Sequence, residues 1–310
     1  MGEGSDLINS NDPTYRFLDC GNGKRLERFG PVTLVRPAPA ALHPAALGPE
    51  AWEKAGLVFT PGSGWQGSAP PDWRVGFPPV VLGLTPGSQG QIGVFPEHLA
   101  VVDWLEKRLP PPALPVLNLF AHTGLATLRL AASWLARGTS EIVHLDASRR
   151  AVRTARENAA ASGLAASKIR WLVDDALLFL AREKRRGRQY GLILADPPRF
   201  GRERRGGGEW RLERDLDQLL GLAGELLAPE GGAFCLSCHS QGWREEEVVR
   251  RMAGTAGFPA GRECQELRLE SGVGGNSLAC GFAVLASSRL SPGEVTPVNP
   301  SRRRRPRKTQ

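Results

Sequence analysis

The spacing of apolar positions divides the chain into two unlike regions. Across residues 15–110 the apolar runs are short and broken by Gly-Asn-Gly and Gly-Pro turns, with Pro, Gly and Trp (Trp52, Trp65, Trp73) dense as far as Pro79. Short runs between turn signals predict strands, so this region reads as a small β-rich domain whose tryptophans serve mainly as packing residues. Leu99, Val102, Leu105 and Leu109 then fall at helical spacing and predict an amphipathic linking helix. From 111 to 290 the pattern alternates. Apolar runs predict strands over 114–120, 141–145, 169–173, 190–195 and 232–238, and 3.6-residue periodicity predicts helices over 125–137, 149–161, 176–185, 212–227 and 243–256. Two strands, 264–270 and 279–286, close the order, and an arginine-rich loop is expected from Arg199 to Trp210. Repeated strand–helix units imply an α/β architecture, a parallel sheet covered on both faces, with ligands bound outside the carboxyl ends of the strands.

Composition narrows the picture. The 310 residues are 41% hydrophobic, enough for one large domain and a small one. No apolar run approaches membrane-spanning length, and the polar start MGEGSDLINSNDP carries no secretory pattern. The five Cys have no framework spacing, which fits reduced thiols; the expected location is the cytoplasm. Of the formal charge of +8, six positive charges lie in the tail from Arg302 to Lys308. Residues 1–14 and 291–310 are expected to be disordered, the latter as a basic tail suited to phosphate contacts or to solubility.

The candidate chemistry lies at the ends of consecutive strands. The first runs into Ala121-His122-Thr123-Gly124, a tight turn that leaves N–H groups free at a helix N-terminus. The second ends in Asp146, suited to gripping ribose hydroxyls, as NAD or S-adenosylmethionine would require; a helix cap is the alternative. The third ends in Asp174-Asp175, where Asp175 suits an exocyclic adenine amine. The fourth ends in Asp196-Pro197-Pro198. Two prolines supply no N–H donors and hold the loop extended, which presents Asp196 and nearby carbonyls as acceptors beside a reacting group. A hydride-transfer site has no use for that arrangement at this strand.

These residues resemble the class I S-adenosylmethionine-dependent methyltransferases, in particular the bacterial ribosomal RNA methyltransferase-like group close to the large-subunit cytosine-C5 enzymes. The stretches that carry the likeness are LDCGNGKRLERFG (18–30), GVFPEH (93–98), VLNLFAHTG (116–124), HLDAS (144–148), ARENAAASGL (155–164), VDDALLFL (173–180), LILADPPRFGR (192–202) and LSCHSQGW (236–243). The resemblance implies a Rossmann-like sheet of seven strands, the last antiparallel, with S-adenosylmethionine as cofactor and no metal. It sets the methionine end of the cofactor against Asn118, Phe120, Thr123 and Gly124, the ribose on Asp146 with Ala147 and Ser148 beside it, the adenine on Asp175 and Ala176, and Phe95 over the site. Asp196, Pro197 and Pro198 would stand at the reacting methyl. His122 and His98 depart from the Tyr and Gln common in the group.

For attack by cytosine C5 a thiolate must first add to the base. Cys238 is the nearest thiol, one residue early, and a one-residue shift along a strand turns a side chain to the other face. A buried structural thiol is the alternative. Arg182, Lys184, Arg185, Arg186 and Arg188 before the Asp196 strand, and Arg199, Arg202, Arg204 and Arg205 after it, suggest a basic rim for a phosphate-bearing substrate, ribosomal RNA above all. The competing readings are a methyltransferase acting on a protein or small molecule, and a non-catalytic RNA-binding assembly factor on the same scaffold.

Overall fold

In the computed structural model, which describes residues 13–203 and 209–290, the short runs of the first region become strands. They are β1 (Tyr15–Gly21), β2 (Lys24–Phe29) and β3 (Val32–Pro37), then, after helix α1 (Pro49–Glu53), β4 (Leu57–Thr60) and β5 (Gly64–Gly67). These five form one sheet in chain order, antiparallel except where β3 meets β4. A separate hairpin, β6 (Arg74–Phe77) with β7 (Val80–Gly83), and helix α2 (His98–Arg108) complete the region. The LDCGNGKRLERFG stretch is a β1–β2 hairpin turning at Asn22 and Gly23, both at positive φ. Its charged residues are structural. Buried Asp19 accepts N–H bonds from Cys20, Ala46, Leu47 and Asn276 at 2.7–3.0 Å. Buried Glu27 pairs with Arg36 at 2.6 Å and accepts from Tyr15 Oη at 3.1 Å. Burial alone would raise the Glu27 carboxyl, but Arg25 and Arg36 outweigh it and lower it.

The second region alternates as its pattern requires: β8 (Val116–Leu119), α3 (Leu125–Trp134), β9 (Ile142–Asp146), α4 (Arg149–Ala161), β10 (Ile169–Val173), α5 (Ala176–Arg185) and β11 (Leu192–Ala195). The chain continues through β12 (Phe200–Glu203), β13 (Glu209–Arg211), α6 (Leu212–Leu226), β14 (Ala233–Cys238), α7 (Glu245–Ala253), β15 (Arg262–Leu269) and β16 (Leu278–Ser287). Seven strands form a sheet in the order β10-β9-β8-β11-β14-β16-β15, in which β16 alone runs against the others. Every residue of β8 and β11 is buried, as central parallel strands demand.

Three expectations are corrected. The stretch from Arg199 to Trp210 is not loop at its two ends: β12 and β13 pair antiparallel. Trp210 is the reason, since its buried ring lies 5.0 Å from that of Phe120 and its Nε1 donates to the Pro198 carbonyl at 2.6 Å. Helix α7 is shorter than 243–256, bounded by a turn at Ser240–Trp243 and by Gly254. Within the segment 1–14, Thr14 forms a bridge with Gly76. Residues 1–12, the tail 291–310, and Arg204 and Arg205 lie outside the described residues.

The change of pattern near residue 110 separates two sheets without separating two cores. Phe29, Trp73, Leu82 and Leu105 of the first region join Leu128, Trp134 and Leu192 of the second in one apolar cluster on one face of the large sheet. Phe179, Leu216, Phe234 and Val284 belong to the cluster on the other face.

Candidate active site

The sheet order reverses at β8, whose neighbours β9 and β11 are reached by connections running in opposite directions. That switch point opens a crevice beyond the carboxyl ends of β8 and β11, where ligands of open α/β sheets bind. A cavity stands there, lined by His98, Asn118, Phe120, Ala121, Asp196 and Ser237 among others. Its floor is the turn after β8. Phe120 and His122 both hold positive φ (56° and 50°), a costly conformation for residues with side chains, and one found where backbone is shaped for a ligand. Gly124, at φ 97°, begins α3; a Cβ there would stand 3.1 Å from that of Ala155.

Asp146 is half-buried at the end of β9. Its Oδ2 accepts from His122 N at 2.9 Å and its Oδ1 from Ser148 N at 2.7 Å. The capping role falls to Ser148, which accepts from Ala151 N. A carboxylate offers about four acceptor positions, so two remain. Asn118 is buried and its Nδ2 donates to Thr127 Oγ1 at 2.9 Å; that hydroxyl stands 2.9 Å from Nδ1 of His144. Burial, above all, lowers the His144 ring to about 3. Asn158, buried on α4, donates to the Thr123 carbonyl at 2.9 Å and accepts from Gly83 N at 2.8 Å, tying β7 to the turn. The Thr123 hydroxyl bonds the Gly93 carbonyl, and Phe95 stacks 5.2 Å from His122 at the margin of the turn.

Asp196 is the most heavily engaged group. Ser237 Oγ donates to its Oδ1 at 2.6 Å, His239 Nε2 lies 3.1 Å from the same oxygen, and His98 Nε2 lies 2.9 Å from Oδ2. Burial would raise its carboxyl, but the imidazoles of His98 and His239 outweigh that and hold it well below the usual carboxylate range. Burial likewise works to lower His239. The Asp196 carboxylate, with a hydrogen bond from Nδ1 to the Cys280 carbonyl at 2.6 Å, overcomes it and raises the ring to about 9. The sequence reading missed this convergence, because the three partners come from α2 and from around the end of β14, and only the sheet order brings them to β11.

The other expected residues scatter. Asp175 caps α5, accepting from Leu178 N at 2.9 Å, with Ala176 buried behind it. Asp174, the residue before Asp175, pairs with Arg182. Ala147 lies between Asp146 and the capping Ser148. Pro197 is buried and Pro198 is exposed. Cys238 is 2% exposed and packs in the cluster opposite the cavity, while Cys235 and Ser237 line the cavity face. Burial, above all, raises its thiol. The strand parity that argues against Cys238 is thus the parity of β14. The rim loses most of its first half: α5 runs back from the carboxyl edge, so Lys184–Arg188 end toward the opposite edge of the sheet, while Arg182 reaches back to Asp174 beyond the end of β10. Lys184 there pairs with Glu225 at 2.6 Å. Arg199 does stand at the reaction edge, 2.8 Å from Glu213 and over the ring of Phe200, which is 61% exposed. Arg202 lies on β12.

Against known proteins, residues 98–204 match the family model described as conserved hypothetical protein 95. The ribosomal RNA large subunit methyltransferase I of Aeromonas salmonicida is 32% identical over 157 residues, 50% of this chain and 37% of that protein. The ribosomal RNA large subunit methyltransferase K/L of Shewanella frigidimarina is 34% identical over 116 residues, 37% of this chain and 15% of that one. The matched part therefore spans well under half of these relatives. A crystal structure of a SAM-dependent methyltransferase from Agrobacterium tumefaciens is similar over 90% of both chains, with 31% identity and a TM-score of 0.79.

Proposed function

The chain belongs to the S-adenosylmethionine-dependent methyltransferases, and from that premise we propose that it transfers a methyl group to a base of ribosomal RNA. The observation that carries this reading is that Asp196 lines the switch-point cavity while Asp146 is bonded to the turn that forms its floor, with Arg199 three residues beyond Asp196. The donor set fits the cofactor. Asp146 keeps free acceptor positions for ribose hydroxyls, and the strained turn at Phe120 and His122 presents backbone rather than bulk to the cavity. In this reading Asn118, Phe120, Thr123 and Gly124 hold the methionine end, Ala147 and Ser148 flank the ribose, Asp175 and Ala176 receive the adenine, and Phe95 closes over the turn.

S-adenosylmethionine supplies a methyl group already activated on a sulfonium, so the protein's task is alignment and exclusion of water. Asp196 is fixed by Ser237, His98 and His239, which removes the freedom that would otherwise be lost when a substrate base docks. Trp210 holds the Pro198 carbonyl and so fixes the far side of the Asp-Pro-Pro loop. The base enters unpaired or flipped, since the cavity lies within a cleft of the sheet edge. Arg199 meets backbone phosphate. Cys238, turned into the core, favours a non-covalent route. Among the described residues no helix is long and apolar enough to cross a membrane, and we place the chain with its ribosomal substrate in the cytoplasm. The test is transfer of labelled methyl to RNA extracted from a strain lacking the gene. Label in ribosomal RNA is expected, and label confined to protein or small molecules would overturn the substrate assignment.

A further inference from the structure

We propose that His98, Asp196 and His239 form a binding site for a divalent transition-metal ion of the zinc class. The inference goes beyond methyl transfer and rests on the placement of three side chains from three separate elements. His98 opens α2, Asp196 follows β11 and His239 follows β14. Their ligand atoms lie within 4.8 Å of one another. The two approaches to the carboxylate, 2.9 Å from His98 to Oδ2 and 3.1 Å from His239 to Oδ1, fall in the range a shared metal ion allows as well as in that of hydrogen bonds. Metal–nitrogen and metal–oxygen bonds of about 2.0–2.2 Å set neighbouring ligand atoms about 2.9–3.4 Å apart in octahedral or tetrahedral geometry.

Three further observations favour an ion over a simple ion pair. First, Nε2 of His98 is buried and makes no aligned hydrogen bond, although a carboxylate oxygen stands 2.9 Å away. Second, His239 donates from Nδ1 to the Cys280 carbonyl at 2.6 Å, which leaves Nε2 as the ligating nitrogen and fixes the ring plane. A ligating histidine bonded through its other nitrogen to a backbone carbonyl is the usual support of a metal site. Third, Ser237 donates to Asp196 Oδ1 at 2.6 Å, holding the carboxylate from behind. Two imidazoles and one carboxylate select zinc, iron(II), cobalt or nickel over magnesium or calcium, which prefer all-oxygen shells. The three side chains are 14%, 23% and 28% exposed, so the site is open on one side. Three protein ligands with an open side leave a position for water or a substrate atom, the pattern of reactive rather than purely structural sites.

The probes are zinc sulfate and cobalt(II) chloride, added to the full reduced chain. Equilibrium dialysis with elemental analysis is expected to give one zinc per chain. His98→Gln and His239→Asn should each weaken binding at least tenfold. Folding of each variant is checked by circular dichroism. The unaltered chain supplies the second measurement: cobalt at two imidazoles and a carboxylate gives visible d–d bands without a sulfur charge-transfer band near the ultraviolet. Failure of the wild type to retain zinc at tens of micromolar would overturn the proposal. So would wild-type affinity in both histidine variants, or a sulfur charge-transfer band, which would assign the ion to the thiols.

Discussion

Replacing Asp146 separates what that carboxylate does for the fold from what it does for a ligand. In the free protein it accepts two backbone N–H bonds, from His122 at 2.9 Å and Ser148 at 2.7 Å. Hydrogen bonds to a charged group are each worth about 1.5–3 kcal/mol net. Asp146→Ala therefore costs stability, read as a lower urea midpoint, and loosens the turn that carries His122 and Thr123. Its two remaining acceptor positions are the ones a ribose diol would take. Water replaces part of what is lost in the variant, so the expected loss in cofactor affinity is about 1–3 kcal/mol, or about 5- to 150-fold in Kd. Asp146→Asn keeps an acceptor for one of the two N–H groups and turns an amide donor toward the other, so it should retain more stability than alanine while losing much of the affinity. Isothermal titration with S-adenosylhomocysteine, on variants shown to be folded at the working temperature, measures both. A folded Asp146→Ala protein that binds within twofold of wild type would sink the argument, and would leave Asp146 as a brace for the turn and nothing more.

Two other outcomes follow from the geometry. Cys238→Ser should keep turnover within a few-fold, and RNA containing 5-fluorocytosine should form no adduct; an adduct trapped at Cys238 would show that β14 opens in the complex and that the non-covalent route is wrong. His144, lowered to about 3 chiefly by burial, resists protonation in the folded chain while the unfolded chain takes that proton near pH 6.5, so stability falls as pH drops below 6.5, by about 1.4 kcal/mol per unit until about pH 3. Urea unfolding at pH 7 and pH 5 should therefore show wild type losing about 2 kcal/mol more than His144→Gln, and equal losses would refute the assignment.

Most of the large sheet was legible because each βα unit carries its own period and its own stop signal. Helix α4 covers 149–161 as its period predicts, and the mainly apolar runs of β8 and β11 announce central parallel strands. The strand-end acids were legible for the same reason. What was hidden is what long-range packing decides. Nothing in GVFPEH or LSCHS tells that His98 and His239 meet on Asp196, since that meeting depends on the order of β11, β14 and β16. Asn158 passes for one more polar position on α4 until β7 and Thr123 are seen on either side of it. The Lys184–Arg188 run misled because proximity to Asp196 in sequence is not proximity in a sheet whose helices run back to the opposite edge. The pairing of β12 with β13 escaped notice because its anchor is one buried indole.

The carbonyl that holds His239 belongs to Cys280, and the next residue, Gly281, lets β16 lie close against the end of β14; a Cβ there would stand 2.1 Å from the Cys238 carbonyl. The strand that steadies the reaction edge thus holds its histidine from 41 residues further along the chain. Any side chain at position 281 would push β16 off the end of β14 and release the His239 ring, so the alignment of Asp196 depends on a residue that has no side chain of its own.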